Sequence, residues 1–432
     1  MNRIHISLLF TALIFFAAEA QTLKLPDTVE VRQWREDIAL LRKEMPQIHA
    51  NLFHTMTREQ FDSSLNSIEK HLPRFARHQV IVELMKLSAL VGDGHTRVSP
   101  WRDTAIAFHQ LPIALYSFKE GMIVRAAAKS HSELLGAKVV GIGSASIEEA
   151  IARVRPLIGR DNEMGTLAWA PVFLTMAEIL HAVGLSKDPL QAEFTFEVKG
   201  NRKKVMLASS GLFPMMYGET DITWLKRDGW NDARDHVPEP LWLEELTDIY
   251  RFTFLHGSKT LYCRIYAIQQ KEGDSLAAFM KRAIHTADSA GAVRFVLDVR
   301  LNGGGNGYWN RDIIRSVVKS NYDQPGKLFV ITGRRTFSAA QMLICAMEEY
   351  TDAVFAGEPS SSRGIHYGDS KKIVMPNSGV VMRVSSLYWQ LTDPRDTRPW
   401  IPVSIPASLS FEDYVQGRDP VLKAIEKINA EK

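Results

Sequence analysis

Three stretches of this sequence carry groups that could do chemistry, and each also has a plain structural reading. Leu328-Phe329-Val330-Ile331 is a continuous apolar run that reads as a buried strand. A turn follows at Gly333-Arg334-Arg335, and a helical pattern begins near Ser338, with Met342, Leu343 and Met347 on one side. As a helix cap, Ser338-Ala339-Ala340-Gln341 fits a capping box, in which the serine oxygen and the glutamine side chain satisfy backbone donors. As a nucleophile, Ser338 would stand at the mouth of a sheet, beside N–H groups able to stabilise an oxyanion. The second stretch, Asp298 to Asn306, leaves a buried strand as a loop containing Gly303-Gly304-Gly305. Adjacent glycines let backbone N–H groups approach a ligand closely, as an oxyanion hole or a phosphate cradle requires. The lysine of a P-loop and the G-x-G-x-x-G spacing are both missing, which argues against phosphate; a tight turn is the plain reading. The third, Gly92-Asp93-Gly94-His95-Thr96, places a histidine just beyond a helix C-terminus, or is simply a helix-ending turn with an exposed histidine.

Alternating patterns say what must position these groups. Trp34, Ile38, Leu41 and Met45 recur at helical spacing until Pro46, and Thr57-x-x-Gln60 opens a second helix with Phe61, Leu65, Ile68 and Leu72 inward. A third helix, with Ile81, Leu84, Leu87 and Val91 inward, ends at the Gly92 turn; together they predict a helical domain over 21–102. Short strands then dominate 103–209: Leu111–Tyr116, Gly121–Ala126, Ala137–Ile142, and a hairpin of Glu193–Val198 with Lys203–Leu207. Such a module suits binding of an extended peptide along a sheet edge. It is interrupted by an apolar helical insertion at 164–184 that it does not need. Residues 210–242, rich in Gly, Asp, Trp and Pro, read as a linker. From 243 to 432, strands at Thr260–Ile268, Arg294–Val299, Leu328–Thr332 and Ala353–Ala356 alternate with helices, and Ile373–Met375 with Val380–Ser385 form a hairpin. That alternation predicts a mostly parallel sheet covered by helices, so the fold class is multidomain α/β.

Composition bounds the rest. The chain has 432 residues, 45% apolar and 23% charged, enough for several domains around ordinary globular cores. A net charge of +3, with no dense Lys/Arg block, gives no reason to expect nucleic acid. Arg3, the apolar run from Ile6 to Phe16 and Ala18-Glu19-Ala20 make residues 1–20 a signal peptide, with a mature start at Gln21. The apolar run is roughly half the ~20 residues that span a bilayer, so no stable membrane anchor is expected and the location is periplasmic or secreted. Cys263 and Cys345, both in apolar contexts, read as buried thiols rather than a disulfide framework or a zinc site, and no metal or other cofactor is implied.

Taken in order, DGHT after a helical domain, a peptide-binding-like module, LDVRLNGGGN, TFSAAQ, the Gly357-Glu358-Pro359 turn and the C-terminal DY-x-x-G-x-DPVL resemble one family. It comprises the tail-specific (C-terminal processing) peptidases, the tricorn core peptidase and the repeats of interphotoreceptor retinoid-binding protein. The resemblance implies Ser338 as nucleophile and an oxyanion hole from the N–H of Ala339 with one from Gly303 or Gly304. It also implies a PDZ-like identity for 103–209. The tail-specific branch carries its lysine base 25 positions after the serine, where this chain has Arg363. A guanidinium, with a pKa above ~12, cannot accept the serine proton. The tricorn-like branch implies instead His95 as base, with Asp396 where that branch has a glutamate; Asp393 competes for that role and His366 for the base. The expected function is an extracytoplasmic serine peptidase acting on peptides or unfolded proteins. The alternative is an inactive scaffold that binds a peptide or an apolar ligand. A third, weaker reading, an ester-cleaving α/β hydrolase, lacks the G-x-S-x-G elbow around Ser338.

Overall fold

The computed structural model describes residues 28–214 and 224–428. The expected signal peptide, the start at Gln21 and residues 215–223 of the expected linker lie outside the described residues. No helix among the described residues is long and apolar enough to cross a membrane.

The C-terminal half is built on a six-stranded sheet. From one edge to the other its strands are Ile405–Pro406, Val354–Gly357, Leu328–Thr332, Arg294–Asp298, Thr260–Ile265 and Tyr250–Leu255. All pair in parallel except the Tyr250–Leu255 edge, which runs antiparallel to Thr260–Ile265. Arg294–Asp298 and Leu328–Thr332 are buried along their whole length, as strands covered on both faces must be, and this is why their centres, Phe295–Leu297 and Leu328–Ile331, are continuous apolar runs. Helices Leu276–Ser289, Asn310–Val318, Ala339–Tyr350 and Pro420–Glu426 supply the cover.

The N-terminal helices Thr28–Ile48, Arg58–His71 and Arg77–Leu90 form as their periodicity requires, and Thr57 and Gln60 make the expected reciprocal cap. Pro46 does not end the first helix, which continues to Ile48. The β-rich module is an antiparallel sheet of Ile113–Phe118, Gly121–Ala128, Lys138–Ile142, Gln191–Val198 and Asn201–Ala208, in that order. Part of the expected linker belongs to this sheet, because Trp230–Asp232 pairs with Gly121–Ala128.

Two connections fold distant parts of the chain together. The C-terminal hairpin, Ile365–Val374 with Val381–Gln390, is longer than its sequence pattern suggests. It leaves the parallel sheet and pairs with Arg97–Val98 just after the third helix. Ile373, Met382 and Val384 are thereby buried in the same core as Ile38, Leu84 and Val91. Asp37 clamps the hairpin tip by accepting from Asn377 N and Ser378 N at 3.0 and 2.9 Å. The apolar insertion forms helices Glu163–Phe173 and Ala177–Ala182, whose Phe173, Ile179 and Leu180 are core residues rather than a surplus surface.

The second insertion helix meets the third N-terminal helix through two histidines, with His78 Nε2 and His181 Nδ1 2.7 Å apart. One ring must donate and the other accept, so the contact requires the accepting ring to be neutral and is lost when both rings are charged. Burial, then the neighbouring His181, pushes His78 from 6.5 down to about 4; burial also lowers His181. Below pH 6.5 the unfolded chain therefore takes up protons that the folded pair refuses, and stability falls as the pH drops towards 4. Thermal melts over this range are expected to show that loss with a shallower slope for His78→Leu. An unchanged slope would remove the pair as its cause.

Candidate active site

Register brings the glycine loop and the serine turn together. Arg294–Asp298 and Leu328–Thr332 are adjacent parallel strands, with Leu297 opposite Val330 and Asp298 opposite Ile331. Both chains leave the sheet at its carboxyl edge, the edge at which open α/β sheets bind ligands. The loops 299–306 and 333–338 are then laced to each other. Thr336 Oγ1 donates to Val299 O at 2.8 Å and Phe337 N to Asn302 O at 3.0 Å. Asn302 Nδ2 anchors the loop to Ile265 O on the next strand at 3.0 Å. Asp298 receives Tyr262 Oη and Arg300 Nε, and Arg300 reaches on to both oxygens of Asp419, the cap of the last helix.

Ser338 does not cap its helix. Its side chain makes no capping hydrogen bond, and Gln341, buried, donates from Nε2 to Cys345 Sγ instead of reaching back. The backbone explains the difference. Ser338 sits at φ 55° and ψ −124°, a conformation disfavoured for a residue with a Cβ and incompatible with the geometry of an ordinary N-cap. Such strain costs on the order of 1–3 kcal/mol and persists only where the surroundings impose it. Here Gly304 makes room for it. A Cβ on Gly304 would lie 2.7 Å from Ser338 Cβ and 3.1 Å from Ala339 N, so only glycine lets the two loops touch.

The two expected oxyanion donors from the glycine loop are not equivalent. Gly304 N–H already donates to Asn302 Oδ1 at 2.9 Å. Gly303 is exposed, has open space where a Cβ would stand, and has no acceptor for its N–H among the described residues. Ala339 is the first residue of its helix, so its N–H has no intrahelical acceptor. Its carbonyl is held by Asn310 Nδ2 at 2.8 Å.

His95 is not exposed, as a simple helix-ending turn would leave it; it is 9% exposed and stacks on Phe337, the residue before the serine, with ring centroids 4.4 Å apart. The His366 ring also lies nearly parallel to it, with centroids 5.8 Å apart. Gly94 allows this approach, since a Cβ there would stand 2.6 Å from the Phe337 ring. Among the described residues neither His95 ring nitrogen completes a well-formed hydrogen bond, though the Tyr367 main chain acts weakly on the ring, and none joins it to Ser338. Burial first, then the charges of His366 and Arg97, push its pKa from 6.5 down to about 3. The ring is neutral, which is the form a general base needs.

Its main chain is held by Asp93, whose Oδ1 accepts from His95 N, Thr96 N and Ser385 Oγ, while Oδ2 faces His49 Nε2 at 2.9 Å. Burial opposes the ionisation of Asp93, yet the His49 contact and these donors outweigh it and hold its pKa down at about 2.

Asp396 does not orient His95. Its carboxylate is turned onto Arg398, which also forks onto Glu348 near the far end of the serine helix, and that pairing lowers its pKa to about 2. An aspartate two residues before an arginine pairs locally, and its short side chain reaches no further. Asp393 makes the same kind of pair with Arg395. Arg363 is exposed and donates from Nε to the Asp161 carbonyl.

The carboxylate that does reach this region is Asp161, unmarked in the sequence because its partners are all remote. Buried, it accepts from Gly94 N at 2.7 Å and from Ser362 Oγ. Burial raises its pKa while the nearby His366 works against that rise. His366 itself directs Nδ1 to the Arg363 carbonyl at 2.9 Å. The neighbouring Asn162 caps the insertion helix through Met164 N and donates to Ser360 O and Pro399 O.

No family model matches the sequence, and no curated protein matches it. The fold is nonetheless similar to that of solved structures. The particular structures it is similar to are those of CPAF. Mature CPAF aligns over 92% of this chain and 96% of its own, with a TM-score of 0.60 at 12% identity. A serine-to-alanine variant of CPAF aligns over 92% and 95%, with a TM-score of 0.61 at 11% identity. A photosystem II D1 C-terminal processing protease aligns over 94% and 98% at 15% identity, with a TM-score of 0.38.

Replacing Gly304 by Ala is expected to force Ser338 out of its turn. Turnover of any substrate that depends on Ser338 should fall by about a hundredfold or more, the scale of losing one preorganised oxyanion contact, with the far-UV circular dichroism unchanged. Retained turnover in a folded Gly304→Ala protein would show that the contact does not matter.

Proposed function

We propose that this chain is an extracytoplasmic serine peptidase in which Ser338 is the nucleophile, His95 the general base, and the N–H groups of Ala339 and Gly303 the oxyanion hole. The observation that carries this reading is the strained Ser338 turn, wedged against Gly304 at a helix start with no structural hydrogen bond to account for it. A capping serine needs no strain; a nucleophile presented at the carboxyl edge of a sheet does.

In this mechanism a peptide carbonyl sits over Ser338 with its oxygen towards the Ala339 and Gly303 N–H groups. His95 takes the Oγ proton as Oγ bonds to the carbonyl carbon, and the electron pair moves onto the carbonyl oxygen. Collapse expels the amine, which receives that proton from His95, and water repeats the sequence on the acyl-enzyme with His95 again as base. The mechanism requires the Ser338–His95 hydrogen bond, which is not formed at rest, to close when substrate binds, as catalytic hydrogen bonds in resting enzymes often do. Asp93 and His49 fix the main chain that carries the base, and among the described residues no carboxylate hydrogen-bonds to the His95 ring.

Ser338→Ala is expected to abolish peptide cleavage by the purified protein, whereas Asp396→Asn leaves it within about twofold because Asp396 serves Arg398. Undiminished turnover in Ser338→Ala would overturn the assignment. His95 protonates well below an ordinary histidine, so kcat/KM should hold steady as the pH falls from 7.5 to 5. An acid limb near 6.5 would instead transfer the base role to another group. The lack of any ring hydrogen bond on His95 also favours a second reading, a non-catalytic peptide-binding scaffold; absence of fluorophosphonate labelling at Ser338 would select it.

A further inference from the structure

A general base needs its ring held as well as its main chain, and the nearby acids do not reach the His95 ring. Asp93 acts on the backbone N–H of the turn, and Asp161 on Gly94 N and Ser362 Oγ. Asp396 is held by Arg398. Phe337 supports a face of the ring but offers it no acceptor.

What runs along the ring is the first strand of the C-terminal hairpin. His366 stands nearly parallel to His95. Two residues on, a Cβ on Gly368 would lie 3.7 Å from His95 Cε1, the carbon between the two ring nitrogens. The main chain at Tyr367 and Gly368 therefore passes that edge of the ring, and the Tyr367 main chain acts on it in the sense that favours its proton. An irregularity follows at the next residue. The hairpin keeps one register from end to end, yet its ladder skips Asp369, which sits at φ 51°. A residue with a Cβ rarely takes that left-handed conformation inside a strand, and such strain persists only where the surroundings hold it. Two side chains of the opposite strand do so. Ser386 Oγ donates to Asp369 O at 2.5 Å, and Trp389 Nε1 to Asp369 Oδ2 at 2.6 Å. The same indole flanks Gly368, where a Cβ would lie 3.2 Å from Trp389 Cδ1.

Resting on the peptidase reading above, we propose that the Tyr367 main-chain carbonyl serves in place of the orienting carboxylate that Asp396 does not supply. It accepts the N–H of the His95 nitrogen turned away from Ser338, and so fixes the neutral tautomer whose other nitrogen faces the serine. Asp369 and Trp389 are positioning residues that hold the strand where this carbonyl meets the ring. When His95 takes the Ser338 proton, the carbonyl dipole also stabilises the imidazolium, as a carboxylate would more strongly. Like the Ser338–His95 bond, this contact is loose at rest and tightens in the substrate complex.

The test reads the ring directly, from 15N spectra of histidine-labelled protein with the His95 signals assigned by their loss in His95→Gln. One neutral tautomer is expected to predominate in the wild type. It should give way to a mixture in Asp369→Val, which cannot keep a positive φ, and in Trp389→Phe, which lacks the donor. In both variants kcat for peptide cleavage should fall by about tenfold or more with KM little changed, the scale of one hydrogen bond. Asp369→Asn should recover both readouts, since Asn tolerates a positive φ and its amide oxygen can accept from Trp389. Loss in Asp369→Val alone would overturn the positioning role, because a damaged hairpin then suffices to explain it. An unchanged tautomer and kcat in both variants, from a wild type that cleaves through Ser338, would overturn it too. A tautomer fixed in the wild type and lost in both variants, in a protein that cleaves nothing and is not labelled at Ser338, would keep the positioning role and remove the peptidase.

Discussion

The contact between Gly304 and the Ser338 turn is the constraint on which the site depends. Two parallel strands in register deliver two loops to one edge, and a side chain at position 304 would drive them apart. The strain at Ser338 is offset locally by hydrogen bonds from Thr336, Phe337 and Asn310, each contributing about 1 kcal/mol net. Asn302 is central to this, since its carbonyl holds Phe337, its Oδ1 holds Gly304 N and its Nδ2 holds Ile265 O. The same loop runs through Arg300 to Asp419, so the C-terminal helix braces it from outside.

What surrounds that contact comes from the other half of the molecule. The third N-terminal helix ends at a turn whose aspartate binds four donors from three parts of the chain, and the histidine that follows is laid on Phe337. The hairpin that leaves the parallel sheet makes this possible by pairing with Arg97–Val98. Asp161 and Asn162, at the mouth of the insertion, tie the His95 turn to the 360–362 loop. The insertion is therefore structural: its start is anchored between the two halves.

Burial sets the electrostatic character. His95, between Phe337 and His366, is kept neutral; Asp93, held by His49, is kept ionised. A neutral base whose backbone is fixed by an ionised acid differs from a base whose ring is oriented by a carboxylate. The nearby Arg97 adds positive charge, which further disfavours protonation of His95.

The sequence by itself determined whatever depends on neighbours in the chain. The apolar runs at 294–298 and 328–332, the glycine loop, the strand-to-helix turn at Ser338 and the Thr57 cap were all legible, because their causes lie within a few residues. Arg363 likewise ruled out a lysine base from its side-chain chemistry alone. Tertiary structure decided what depends on distant segments. It denied Ser338 its cap, because the turn that packs against Gly304 of another loop holds its backbone outside N-cap geometry. It gave Asp396 to Arg398, because a local arginine outcompetes a remote histidine for a short carboxylate. Asp161 and His49 were invisible in the sequence, since each acquires its meaning only when the hairpin, the insertion and the first helices pack together, and no local pattern encodes that packing.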